Sequence, residues 1–176
     1  MRMGNITHLI NKCRNDIERA LIATLFLTGG RASEVLTLKA GQFINRKKHI
    51  VIQGMLVLKQ RKEENKFRQV PILKNEPLTD TMLAWVKRVR EIQPKVGHDH
   101  LFPYKYDWLY QRVTKIDKEW WPHRFRAERA SQLAVEKEFG VIELMKWFGW
   151  AKEDMATHYA KMNVTDLVRK MSRGEM

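Results

Sequence analysis

Between residues 7 and 27 the apolar positions Ile10, Ile17, Leu21, Ile22, Leu25 and Phe26 recur at helical spacing. This predicts one long helix, stopped by Gly29 and Gly30. A short second helix follows over residues 31–38. The period then changes. Residues 49–58 are rich in Val, Ile and Leu with one Gly, and residues 67–73 alternate around Pro71, so both read as strands with KQRKEENK as the hairpin tip between them. Past Pro77, Leu78, Met82, Leu83, Val86 and Val89 make one helical face behind Thr79 and Asp80, and QPKVGHDHLFP reads as a loop. Further helices are predicted over residues 107–120 and 123–139, the latter with Pro122 in its first turn and Gly140 at its end. Two short helices, 141–148 and 151–162, flank Gly149, and an amphipathic segment at 164–171 follows. The fold class is therefore α+β, mainly helical, with a small antiparallel sheet inserted after the second helix.

Composition narrows the class. The chain has 176 residues and is 44% hydrophobic, which suits one domain with a real core, and no linker, repeat or low-complexity run divides it. No run approaches the roughly 18 apolar residues of a membrane span, and MRMGNITHLINKCRND lacks the apolar core of a secretion signal. The expectation is a soluble cytoplasmic protein with no membrane partner. Cys13 is the only cysteine, which excludes an internal disulfide and a cysteine-rich zinc module. The 33 Lys and Arg against 20 Asp and Glu leave a net charge of +13. That excess points to a polyanionic partner, whose counterions are released as phosphates are neutralised. A basic surface that only keeps the chain soluble is the plainer meaning.

Three clusters could carry chemistry on such a partner. In TGGRASEVLTL, Thr28 to Leu38, Arg31 follows a glycine turn and Glu34 lies three residues on, able to aim it along one helical face. In Pro122-His-Arg-Phe-Arg126, His123 and Arg126 share one side of a helix start and offer two donors to one phosphate. Gly149-Trp150 is followed nine residues later by Tyr159, flanked by His158 and Lys161. Singly, these would suit a surface ion pair, a histidine bonded to backbone and a half-buried tyrosine. Residues 46–68 add Arg46, Lys47, Lys48, Lys59, Arg61, Lys62, Lys66 and Arg68 against Glu63 and Glu64, a patch suited to tracking a nucleic-acid backbone.

Together and in this order the clusters resemble the catalytic domain of the tyrosine recombinase, or phage integrase, family. The likeness lies in T-G-x-R-x-x-E at Thr28 to Glu34, H-x-x-R at His123 to Arg126 with Ala130-Ser131-x-Leu133 behind it, and Gly149-Trp150 with Tyr159. NKFRQVPI, Asn65 to Ile72, resembles the second strand of the hairpin that carries the family's catalytic lysine. Ala127 and Glu128 depart from the usual residues at positions outside the catalytic set. The resemblance implies a three-stranded sheet among helices and site-specific DNA recombination, as in integration or excision of a viral genome. Tyr159 would be the nucleophile of a 3′-phosphotyrosyl intermediate. Arg31 and Arg126 would bind the non-bridging oxygens, with Glu34 in support. His123 would serve proton transfer, Trp150 would donate its indole N–H to the phosphate, and Lys59, with Lys62 and Lys66 behind it, would protonate the leaving oxygen. DNA contacts would come from Lys47, Lys48, Arg61, Lys62, Lys66, Arg68 and Arg124.

Because the bond energy is conserved, no cofactor, ATP or metal is implied. The implied partners are double-stranded DNA with a specific target site and further copies of the chain, a homo-oligomeric tetramer on DNA, to which residues 163–176 could contribute an exchanged tail helix. Residues 1–176 would form one catalytic domain without the family's usual N-terminal core-binding domain. An archaeal or archaeal-virus integrase is suggested by HRFRAERASQL. The competing classes are a type IB topoisomerase-like relaxing enzyme, a non-catalytic DNA-binding module and a metal nuclease. For the last, Glu64-x-Lys66 supplies half a signature and His98-Asp99-His100 a partial ligand set.

Overall fold

The computed structural model describes residues 4–57, 66–160 and 171–172. The long helix expected at the start is two, α1 (Gly4–Lys12) and α2 (Asp16–Thr28). The apolar period runs through the break, but the polar residues at the junction cap the start of α2. Asn15 is extended and its side chain accepts from the Glu18 amide at 3.0 Å, while the Glu18 carboxylate accepts from the Arg14 amide at 2.7 Å. All residues of α2 from Ala20 to Thr28 are buried, so this helix is the hub of the core. It packs against α1, α4 (Thr79–Val96) and α6 (Pro122–Val135).

The short helix α3 (Ala32–Leu36) leads into the sheet of β1 (Phe43–Asn45), β2 (His49–Val57) and β3 (Lys66–Leu73), antiparallel in the order β1-β2-β3. The β2–β3 register pairs Met55 with Arg68 and Val57 with Lys66, after a bulge between Ile52 and Met55. On β3 the inward positions are Arg68, Val70 and Ile72. Of the expected hairpin tip, 59–66, residues 59–65 lie outside the described residues and Lys66 is the first residue of β3; 161–170 and 173–176, which hold most of the expected tail, also lie outside them.

Several helix ends differ from the sequence reading, most of all those of α4, α5 (Tyr106–Ile116) and α6, while the last helix, expected over 151–162, spans Glu153–Tyr159. Helix α4 continues past Pro94, expected in a loop, and stops at Gly97, whose amide donates to Gln93 O. Helix α5 ends early because Asp117 is extended and caps the Glu119 amide at 2.9 Å. Helix α6 ends at Val135 rather than 139. Glu138 adopts a left-handed conformation and Phe139 folds back, its amide donating to Leu133 O and its ring meeting Trp147 edge-on. Helix α7 (Val141–Phe148) has the expected bounds, and α8 (Glu153–Tyr159) follows Gly149. No helix among the described residues is long and apolar enough to cross a membrane.

Candidate active site

The C-terminal ends of α2 and α7, the start of α3 and the middle of α6 converge on one buried carboxylate. Gly29 ends α2 with φ +58°, its amide shared between Leu25 O and Phe26 O. A Cβ there would stand 2.4 Å from the Phe148 ring, so the turn admits only glycine. The turn sets Arg31 at the N-cap of α3, and Glu34 reaches back to accept from the Arg31 amide at 2.9 Å. Glu34 is fully buried.

Three guanidiniums surround that carboxylate. Arg31 lies 3.7 Å from it, Arg68 3.5 Å and Arg126 3.8 Å. Backbone carbonyls hold two of them further. Arg126 donates to Gly29 O at 2.8 Å and Phe148 O at 3.0 Å, and Arg68 donates to Trp147 O. Trp147 donates its indole N–H to Thr28 O at 3.3 Å. The unsatisfied carbonyls that end α2 and α7 are thereby matched to cationic and N–H donors at the negative end of each helix. Three positive groups against one carboxylate still leave two positive charges over. Burial lowers the Arg126 pKa, opposed by Glu34 and reinforced by Arg68 and Arg31.

An aromatic column connects this cluster to the phenol. Phe148 stacks on Trp150 at 4.6 Å and Trp150 on Tyr159 at 5.9 Å, nearly parallel, and the Arg126 guanidinium lies over both Phe148 and Trp150. Burial raises the Tyr159 pKa while Arg126 pulls it down. Loss of hydration, then Arg126 and Arg31, lower the pKa of His123 below 6.5, so this imidazole is neutral at pH 7.

The structure thus brings Arg31, Glu34, His123, Arg126, Trp150 and Tyr159 to one site. Arg68 is a correction. The resemblance places it in the DNA-facing patch, but its side chain is 4% exposed and turned inward with Val70 and Ile72. Counting basic residues missed this, although the period-two pattern of β3 contains it. Lys47, Lys48 and Lys66 are exposed; Lys59, Arg61 and Lys62 lie outside the described residues. Arg124 bonds Glu119 O at 2.6 Å, pairs with Glu128 and lies over Trp120 and Trp121. Nothing in the spacing of the motifs marks Trp147 as a donor. No group of three His, Cys, Asp or Glu suited to a metal occurs among the described residues. At His98-Asp99-His100, the Asp99 carboxylate accepts from the Gly41 amide instead.

A model of the phage integrase family matches residues 1–165. Among solved structures, the fold is similar to XerA recombinase, with a TM-score of 0.69 and 14% identity over 100% of this chain and 65% of that one. It is similar to XerH site-specific recombinase bound to difH substrate, with a TM-score of 0.71 and 20% identity over 100% of this chain and 54% of that one. The catalytic domain of bacteriophage HP1 integrase gives a TM-score of 0.60 and 20% identity over 98% of this chain and 92% of that domain. The chain therefore spans less than two thirds of the first two. No curated protein matches its sequence.

Proposed function

The chain belongs to the phage integrase family, and on that premise we propose that it recombines DNA site-specifically by breaking and rejoining strands through Tyr159. One observation carries the reading: three guanidiniums share a single buried carboxylate, and the phenol is linked to them by a stacked column. The two positive charges left over suit a phosphodiester whose non-bridging oxygens gain charge in the transition state.

A phenol with a pKa near 10 is ionised in only about one molecule in a thousand at pH 7, so the nucleophile needs a base. His123, neutral at that pH, takes the phenol proton as Tyr159 Oη attacks phosphorus. The P–Oη bond forms as the P–O5′ bond breaks, and the leaving 5′-oxygen takes a proton from a hairpin lysine, with Lys59 the first choice by resemblance. Arg31 and Arg126 hold the non-bridging oxygens, and Trp150 adds its indole N–H. A 5′-hydroxyl from a partner strand then attacks the phosphotyrosine and reverses each step, so no bond energy is lost.

Duplex DNA with a target site is the substrate in this reading, and a tetramer on DNA, in the cytoplasm beside the nucleoid, is part of the same proposal. XerH is bound to its difH substrate in the structure that this fold resembles. The exposed Lys47, Lys48 and Lys66 suit contacts to the DNA backbone.

The test incubates the protein, and a Tyr159→Phe variant, with supercoiled DNA and resolves the products on a denaturing gel. A covalent protein–DNA adduct, absent from the variant and indifferent to EDTA, is expected. Cutting by the variant, or cutting abolished by EDTA, would overturn the proposal.

A further inference from the structure

We infer that Arg68 is a positioning residue for this reaction, holding the last turn of α7 and the Glu34 carboxylate where Arg126 needs them. The inference rests on the strand-transfer reading above.

Arg68 lies on β3, opposite Met55, and is the polar member of the inward row that continues with Val70 and Ile72. Its guanidinium has two attachments. Nη1 donates to Trp147 O, and Nη2 lies 3.5 Å from Glu34 Oε2. Its stem passes beneath Gly149, with Cδ 3.4 Å from the place a Cβ would occupy there. The adjacent carbonyl, Phe148 O, is held by Arg126. Two guanidiniums therefore grip consecutive carbonyls at the end of α7, immediately before Gly149 and the Trp150 ring on which Tyr159 stacks. Both also approach the same oxygen of Glu34, 3.5 and 3.8 Å away. A shift of Arg68 moves the acceptors that aim Arg126.

The burial of Arg68 is costly in a way that packing does not require. Its Nε is buried without a hydrogen-bond partner and its Nη2 has only the ion pair with Glu34, and desolvation lowers its proton affinity against the pull of Glu34. An unbranched apolar side chain would fill much the same volume without either cost. With Nη1 on Trp147 O and Nη2 beside Glu34, the effect of Arg68 on chemistry passes through Glu34, Arg126 and the α7 end.

A positioning role separates from a packing role by changing the charge at the reacting phosphate. The phosphate joined to Tyr159 is first mapped in the wild type, and an oligonucleotide duplex is then made with either the natural phosphodiester or a neutral methylphosphonate there. In the methylphosphonate a methyl group replaces one non-bridging oxygen, removing charge that an aimed guanidinium would stabilise. Single-turnover adduct formation is compared for wild type, Arg68→Met and Arg68→Lys, the last keeping the charge but unable to reach Trp147 O and Glu34 together.

On the phosphodiester, Arg68→Met is expected to slow adduct formation about 10–100-fold, with Arg68→Lys between it and the wild type and duplex binding changed by less than about twofold. On the methylphosphonate the defect should shrink to less than about threefold. An equal defect on both substrates, or none on either, would overturn the inference. Wild-type protein that forms no Tyr159-dependent adduct would instead refute the strand-transfer reading, and this inference would fall with it.

Discussion

Replacing Glu34 by Gln would take the only carboxylate from among three guanidiniums, two of them on side chains just 4% and 3% exposed. Breaking a buried pair while its cations stay buried costs about 3–5 kcal/mol, so urea unfolding of Glu34→Gln should show a loss of that order. Sulfate, which supplies negative charge to the same cluster, should raise the melting temperature of the variant more than that of the wild type. His123 makes a pH prediction. Its pKa lies below 6.5, so the neutral base persists as pH falls through 6.5 and is lost only beneath it. The acid limb of the single-turnover rate should therefore lie below pH 6.5, and His123→Gln should remove it. At this scale the order and spacing of the motifs brought Arg31, Glu34, His123, Arg126, Trp150 and Tyr159 to light. Arg68 escaped because a tally of charges records residue type, whereas the direction of a side chain depends on which face of the strand it occupies.

Helix α7 was legible to its bounds because Gly140 and Gly149 bracket an apolar run, and Gly149 closes it in the left-handed region with φ +69°. The break between α1 and α2 was not legible from periodicity. The apolar positions on either side keep their spacing, and the information lies in the side-chain bonds of Asn15 and Glu18. Asn15→Ala should cost about 1 kcal/mol of stability, measured by chemical denaturation, with Tyr159-dependent cleavage unaffected. The shortened ends of α5 and α6 have a similar origin. Each is set by a local bond, from the Glu119 amide to the Asp117 carboxylate in one case and from the Phe139 amide to Leu133 O in the other, which competes with continued helix and leaves no mark on the apolar pattern. Gly149→Ala carries a sharper expectation, because its Cβ would stand 2.8 Å from Val57 Cγ2 at a positive φ. Both stability and adduct formation should fall, since the residue joins the end of α7 to Trp150.

Across the whole molecule, a net charge of +13 on a chain of 176 residues was the first sign of a polyanionic partner, and it predicts a steep salt dependence. If six to ten phosphates are contacted, affinity for duplex DNA should fall by about 10³–10⁵ between 50 and 200 mM salt, as a fluorescence-anisotropy titration would show. A flat response would mean that the basic surface does not follow a DNA backbone. The general architecture was also legible, because an all-round buried α2 and a two-period strand region fix which faces turn inward. The convergence on Glu34 was not, since it depends on tertiary approach between elements far apart in the chain, as where Arg126 meets Gly29 O across 97 positions.

That convergence bears on inheritance. Gly29 O and Phe148 O, which hold Arg126, and Trp147 O, which holds Arg68, are main-chain atoms. A substitution can displace such an acceptor but cannot delete it, so most of the scaffolding around Arg126 lies out of reach of point mutation, and the Glu34 side chain is its weak point. A lineage built this way can exchange most of its side chains and still present the same charged grip, which gives a physical reason for a fold recognisable across relatives that share so little sequence.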